Sequence, residues 1–195
     1  MLTNSFKTII IISLFMMLSS VYAQTASNTQ KSVAADSKTA NAKIKWYTME
    51  EAIKLNKKHP KKIFIDVFTD WCGWCKKLDA TTFTNPVIVK YMNEHFYAVK
   101  FNAETGDTIR FRDTTYTNRF FGSRNPHDLA VKLLNSRMGY PSMVLLDEKL
   151  NNLYLVQSFL MPNDLEVYLK YYGDNVYKKQ TMQEYKATFQ GEVKD

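Results

Sequence analysis

The stretch that decides the fold runs from Ile63 to Lys76 and reads Ile-Phe-Ile-Asp-Val-Phe-Thr-Asp-Trp-Cys-Gly-Trp-Cys-Lys. Its first half, Ile63 to Phe68, is apolar on both strand faces, which is expected of a central strand covered by helices on both sides. Its second half places Cys72 and Cys75 three positions apart, where a helix through Leu78 is predicted to start. The stretch therefore predicts a buried strand that leads directly into a CxxC helix.

Helix and strand patterns continue on both sides of this stretch. Upstream, Thr48 and Glu51 fit a capping box, which predicts a helix over 49–58. Downstream, the patterns predict a helix from Asn85-Pro86, a strand at 96–102, a hairpin of strands at 142–146 and 153–159, and a helix capped by Asn163-Asp164. This order predicts an α/β fold with a mixed central sheet flanked by helices.

Cys72 and Cys75 are the only cysteines in the chain. A disulfide between them would close a very short loop, and such a bridge adds little stability by restricting the unfolded chain, so redox chemistry explains the pair better. At a helix start the first sulfur lies near unpaired amides that favour thiolate, which predicts Cys72 as an accessible nucleophile and Cys75 as the shielded resolving thiol. Zinc binding is the alternative, but zinc needs four ligands and the chain has no second CxxC and no HxxxH.

Asp66 is the second candidate for a catalytic residue. Strand alternation places it on the same face as Phe64 and Phe68, away from water, where a lone carboxylate is costly unless it has a purpose or a partner. We predict that it lies below Cys75 with a raised pKa and accepts the proton of that thiol. The alternative is a structural aspartate bonded to backbone or solvent.

Pro141 directly precedes a predicted strand, in Gly139-Tyr140-Pro141-Ser142. A proline at such a position is often cis, and Tyr140 would then present its backbone to an extended substrate. The alternative is a simple turn that enters the strand.

These motifs together resemble the thioredoxin superfamily. Asp66, the run 71–76 and Tyr140-Pro141 follow the order of thioredoxin's buried aspartate, WCGxCK active site and cis-proline. The run 77–87 also resembles the C-terminal thioredoxin-like domain of the membrane-embedded disulfide interchange reductase of bacteria. The resemblance covers about 44–172 and implies a thioredoxin fold and a periplasmic location. It also implies catalytic residues Cys72, Cys75 and Asp66, and substrate-binding residues Trp71, Gly73, Trp74, Tyr140 and Pro141.

Two departures limit how far the resemblance extends. The active site has Gly-Trp between its cysteines where thioredoxin has Gly-Pro, and Tyr140 is larger than the usual residue before the proline. An insert at about 104–137 exceeds the usual loop. It carries Arg110, Arg112, Arg119 and Arg124 beside the aromatic residues Phe111, Tyr116, Phe120 and Phe121. Asn125-Pro126 predicts a helix within it, through Leu134. Two interpretations of the insert remain open: a structural cover with buried aromatic residues, or a lid that binds partners.

The N-terminal sequence predicts export. Lys7, the apolar run 9–18 and a small-residue site ending at Ala23 form a signal peptide over 1–23, with an uncleaved membrane anchor as the alternative. Residues 24–43 are polar and predict a flexible linker, followed by the thioredoxin-like domain at 44–176 and a tail at 177–195 that could form a short helix. The net charge of +7 falls to +6 without Lys7, a mild excess that predicts no nucleic-acid partner.

The sequence therefore predicts a periplasmic or secreted thiol:disulfide oxidoreductase. Its expected partners are exported cysteine-containing proteins and a membrane electron donor, with no stable membrane insertion after cleavage. We expect no metal and no cofactor other than the disulfide of Cys72 and Cys75. The reducing or isomerising direction is favoured, because Gly73 and Trp74 add no positive charge between the cysteines. The alternative is a non-catalytic binding module or a metal-handling chaperone.

Overall fold

A five-stranded mixed sheet forms the centre of the computed structural model, which describes residues 42–122 and 124–194. The strands in chain order are β1 (Trp46–Tyr47), β2 (Lys62–Phe68), β3 (Phe96–Asn102), β4 (Ile109–Phe111), β5 (Thr114–Tyr116), β6 (Ser142–Leu146) and β7 (Asn152–Val156). The central sheet has the order β1-β3-β2-β6-β7, while β4 and β5 form a separate hairpin. Strands β1, β3 and β2 are parallel, and β6 and β7 are antiparallel to their neighbours. The predicted mixed sheet is confirmed.

Six α-helices accompany the strands in the described ranges. They are α1 (Met49–Lys58), α2 (Gly73–Ala80), α3 (Pro86–His95), α4 (Asp128–Leu133), α5 (Pro162–Gly173) and α6 (Met182–Thr188). The Thr48 capping box and the Asn85 cap form as the sequence predicts. Within residues 42–122 and 124–194, no helix has the length and apolar character that crossing a bilayer requires. The predicted signal peptide at 1–23 and nearly all of the linker at 24–43 lie outside the described residues.

Two helices begin where the sequence did not predict. Helix α4 starts at Asp128 rather than at Asn125-Pro126, because the ring Nδ1 of His127 accepts the amide of Leu129 at 3.1 Å and caps the helix. Helix α5 starts at Pro162 rather than after Asn163, because proline lacks an N–H and its fixed φ suits the first helical position. Strand β7 also ends at Val156, three residues before the predicted end.

The sheet has an apolar layer on each face. Ile63, Ile65 and Val67 of β2 point into a core shared with α1 and with the insert. Phe64 points to the other face, into a core shared with α2, α3 and α5. Burial on both faces accounts for the unbroken apolar sequence of β2.

The insert contributes both to the core and to the surface. Phe111 of β4 and Leu129 of α4 are buried in the core that α1 covers, and Tyr116 packs partly against it. Phe120 and Phe121, in contrast, are each 66% exposed. The two interpretations of the insert therefore apply to different parts of it, since its hairpin and helix are structural and its tip is open to solvent.

We expect Phe111→Ala to lower the free energy of unfolding by about 3–5 kcal/mol, because it removes a buried aromatic ring and leaves a cavity. Phe120→Ala is the matched control and should change stability by less than about 0.5 kcal/mol, because that ring is exposed. Urea unfolding of both variants measures the difference. Equal losses would mean that the hairpin is not part of the core.

The C-terminal segment packs against the same domain. Met182 and Tyr185 of α6 contact the core that includes α5. Farther along, the buried carboxylate of Glu166 accepts the amides of Glu192 at 2.8 Å and Val193 at 3.0 Å. These contacts hold residues up to Val193 on the surface of α5.

Candidate active site

Cys72 and Cys75 form a disulfide at the N-terminus of α2. Cys72 is the N-cap residue of this helix, and its Sγ accepts the amide of Cys75 at 3.0 Å. The chain reaches this position directly from β2, through a turn in which the amide of Cys72 binds the carbonyl of Thr69 at 3.1 Å. A thiolate on Cys72 would be stabilised by the same amide and by the positive end of the helix dipole.

The exposure of the two sulfur-bearing residues differs from the sequence prediction. Cys72 was expected to be accessible, but in the disulfide form it is only 4% exposed, close to the 2% of Cys75. The bond to Cys75 holds the side chain of Cys72 against the helix end. What distinguishes the two residues is their position, because Cys72 caps the helix and Cys75 lies one turn inside it.

Asp66 lies on β2 and is fully buried, on the face that also carries Phe64. It is not a lone carboxylate, because the ammonium of Lys100 binds its Oδ2 at 2.5 Å. Its Oδ1 has no hydrogen-bond partner among the described residues. Burial raises the pKa of Asp66 to about 6, against the opposing effect of Lys100.

Lys100 connects Asp66 to the helix that carries the cysteines. Its ammonium also forms an ion pair with Asp79 of α2. Asp79 lies four residues after Cys75, so the two side chains share one face of the helix. Lys100 thus links Asp66 of β2 to α2, the helix that begins with the cysteine pair. No sequence motif marks Lys100 or Asp79, but Lys100 is the only charged residue of β3 and stands opposite Asp66 in the register of the two strands.

The peptide bond between Tyr140 and Pro141 is cis. Ser142, the next residue, pairs with Val67 near the end of β2, so the proline lies beside the strand end from which the chain continues to Cys72. The hydroxyl of Ser142 donates to the carbonyl of Gly139 at 2.6 Å and closes the turn. The loop and the disulfide therefore lie at the same edge of the sheet.

Aromatic rings lie on both sides of the disulfide. Trp71 and Trp74 are each more than half exposed. The Trp71 ring packs edge-to-face on Tyr140, with ring centres 5.9 Å apart, and the Trp74 ring lies 5.4 Å from that of Phe159. Gly73 lies between the two tryptophans, and a Cβ at this position would meet no atom within 4 Å.

Two residues outside the predicted set contact these tryptophans. The Trp71 indole donates to both carboxylate oxygens of Glu104, at 3.0 and 3.1 Å. Burial, and secondarily the charge of Glu104, raises the pKa of Tyr140 to about 12, so its hydroxyl stays neutral. On the other side, the ammonium of Lys77 lies 5.0 Å from the centre of the Trp74 ring. No sequence motif marks Glu104, which follows β3 inside the insert.

The mixed sheet, the CxxC disulfide at a helix start and the adjacent cis-proline define a protein of thioredoxin fold, as the sequence predicted. More particularly, the chain belongs to the family described as "Thioredox_DsbH: Protein of unknown function, DUF255", whose model matches residues 28–167.

Solved structures with similar folds include a thioredoxin from Thermus thermophilus that is 14% identical. The alignment covers 76% of this chain and 98% of the thioredoxin, with a TM-score of 0.51. A thioredoxin-fold protein from Helicobacter pylori is 15% identical and covers 66% and 81% of the two chains, with a TM-score of 0.50. The oxidised C-terminal domain of Neisseria meningitidis DsbD is 19% identical and covers 67% and 99%, with a TM-score of 0.43. At these identities the likeness to the first two structures, whose TM-scores reach 0.50, shows the fold alone.

A curated relative matches a shorter segment. An uncharacterized protein of Caenorhabditis elegans, B0495.5, is 35% identical over 66 residues, which are 33% of this chain. The match spans only 9% of the length of that relative.

Proposed function

We propose that this protein is a thiol:disulfide oxidoreductase that exchanges two electrons between the Cys72–Cys75 pair and disulfides of exported proteins. The observation that carries the proposal is the disulfide at the N-terminus of α2, at the same sheet edge as the cis-Pro141 loop. The pair is proposed to be the only redox group. The predicted signal peptide supports a periplasmic or secreted location.

Each residue of the site has a proposed role in reduction. The Cys72 thiolate attacks one sulfur of the substrate disulfide, and the other substrate sulfur leaves as a thiolate that takes a proton from water. Cys75 then gives its thiol proton to Asp66 and attacks the Cys72 sulfur, which expels the second substrate sulfur as a thiolate. That thiolate takes up a proton, and Asp66 returns its own proton to solvent. The substrate thus gains two electrons and the Cys72–Cys75 disulfide forms. A dithiol donor, proposed to be a membrane protein, returns the pair to the reduced state.

The substrate is proposed to lie across the surface that surrounds the disulfide. Tyr140 and Pro141 present backbone at the edge of the sheet, and the open space at Gly73 lets a chain approach the sulfur. The exposed rings of Trp71 and Trp74 provide apolar area that is available to a partner.

Insulin reduction by dithiothreitol, with and without the protein, tests the proposed activity. The oxidoreductase should accelerate the precipitation of the insulin B chain in proportion to its concentration. Precipitation at the uncatalysed rate would instead favour the binding module or metal-handling chaperone.

We expect a reduction potential nearer that of thioredoxin, about −270 mV, than that of the oxidant DsbA, about −120 mV. A strong oxidant needs a strongly stabilised Cys72 thiolate, and Gly73 and Trp74 bring no positive charge to it. The side chain of Lys77 is directed over the Trp74 and Phe159 rings. Equilibration with glutathione buffers measures the potential. A value above about −150 mV would contradict the reducing direction and indicate an oxidase.

A further inference from the structure

The Trp71 side of the disulfide carries negative charge. The Glu104 carboxylate is held against the Trp71 indole, as described above, and Asn102 connects this group to a second carboxylate. The Asn102 side chain accepts the amide of Glu104 at 2.9 Å and donates to Asp70 Oδ2 at 3.2 Å. Two carboxylates, an exposed indole and the Tyr140 ring thus form one surface, called here the acidic arm.

The Trp74 side carries positive charge. The Lys77 ammonium lies 5.0 Å from the centre of the Trp74 ring and 5.3 Å from that of Phe159. Both Lys77 and its neighbour Lys76 are exposed. These two lysines and two rings form a second surface, called here the basic arm.

The charges of both arms are free to act on a partner. In residues 42–122 and 124–194, no salt bridge involves Glu104, Asp70, Lys76 or Lys77. Glu104 is held by the Trp71 indole N–H and Lys77 by two aromatic ring faces, so neither contact supplies a counter-ion. A carboxylate has about four acceptor positions, so the shared indole N–H leaves Glu104 able to bind a further donor.

Resting on the proposed function, we propose that the site selects disulfides whose cysteine is flanked by a basic side chain on one side and an acidic side chain on the other. The basic side chain lies on the acidic arm, and the acidic side chain lies on the basic arm. Glu104 and Lys77 are the specificity-determining residues, and the sulfur between the arms meets Cys72.

The chemistry of each arm fits its charged group. An arginine on the acidic arm can stack on the exposed Trp71 ring while its N–H groups donate to Glu104, so it gains a cation–π contact and an ion pair together. A glutamate on the basic arm pairs with Lys77, which the Trp74 and Phe159 rings already hold in place. Because exposed ion pairs contribute little, each arm should change the rate by only about threefold.

The experiment uses symmetric disulfides of three peptides that differ only in the residues flanking one cysteine. One peptide has arginine before and glutamate after the cysteine, the second has the reverse order, and the third has glutamine at both positions. The reduced full chain is mixed with each peptide, and the released thiol is quantified by chromatography. We expect one charged order to react about tenfold faster than the other at low ionic strength, with the difference shrinking as salt screens both contacts.

Charge-reversal variants test the assignment to these two residues. The double variant Glu104→Lys/Lys77→Glu should invert the preferred order without changing the net charge. The matched control, Glu94→Lys/Lys54→Glu, reverses two exposed charges on α3 and α1 and should keep the original order.

The outcomes separate this inference from the proposed function. If all three peptides are reduced at equal rates, or if the double variant keeps the original preference, the charge selection is wrong and the oxidoreductase stands. If none of the peptides is reduced, the proposed function itself fails, and the inference fails with it. Only an inversion of the preferred peptide order by Glu104→Lys/Lys77→Glu supports both the charge selection and the proposed function.

Discussion

Cys72→Ser is expected to reduce insulin reductase activity to the uncatalysed rate, because it removes the sulfur that makes the first attack on the substrate. Cys75→Ser should also fail in turnover, but for another reason, since Cys72 can still attack while no thiol resolves the product. Cys75→Ser should therefore accumulate mixed disulfides with partner proteins and Cys72→Ser should not. Non-reducing electrophoresis of exported proteins incubated with each variant measures the difference.

The two serine variants are matched controls for each other, because each removes one sulfur from the same helix turn. Both should remain folded, since the bridge closes a loop with a sequence separation of 3 and restricts the unfolded chain very little. Circular dichroism checks this expectation. Mixed disulfides formed by Cys72→Ser through Cys75 would show that the roles of the two cysteines are reversed.

The sequence predicted the features that depend on local patterns. The unbroken apolar run of β2 predicted burial on both faces, and Thr48 and Asn85 marked helix starts that the structure has. His127 was missed because histidine is an uncommon N-cap residue, and its use here depends on a buried ring whose Nε2 also contacts the carbonyl of Asp107 at 2.9 Å. That second contact joins residues 20 apart in the chain.

Contacts between distant parts of the chain account for the residues of the candidate site that were not predicted. Lys100 meets Asp66 only through strand pairing, and Glu104 meets Trp71 only after the insert leaves β3. Aromatic content alone could not separate Phe111, which is buried, from Phe120, which is exposed. The periodicity of each segment shows which face is apolar, but the partner of a charged side chain depends on how the segments are assembled.

Asp66→Asn is expected to slow the resolution of mixed disulfides about a hundredfold at neutral pH, because it removes the proposed proton acceptor while nearly keeping the side-chain volume. Burial raises the pKa of Asp66 to about 6, so the native carboxylate is mostly ionised at pH 7 and able to accept a proton. The resolution rate of the native protein should fall as pH decreases through about 6, and this step should be absent in the variant. Stopped-flow measurement with a preformed mixed disulfide gives both rates.

The same substitution should stabilise the fold, and the pH at which it does so is a second test. The folded pKa of about 6 lies above the ordinary aspartate value of 3.8, so between these values the folded state binds more protons than the unfolded state. The free energy of unfolding therefore falls as pH rises from about 4 to about 6. The loss, up to about 3 kcal/mol, is complete above that range. Asp66→Asn lacks this titration. The difference in unfolding free energy between the variant and the native protein should therefore grow in favour of the variant across the same pH range and then level off.

Asp79→Asn provides the matched control for these measurements. It removes the other carboxylate partner of Lys100, but its side chain is 45% exposed, so it carries little of the burial cost. We expect a small change in stability and a retained pH step in the resolution rate. If Asp66→Asn instead resolves mixed disulfides at the native rate with the same pH profile, Asp66 is a structural partner of Lys100, and the proton of Cys75 goes to another acceptor.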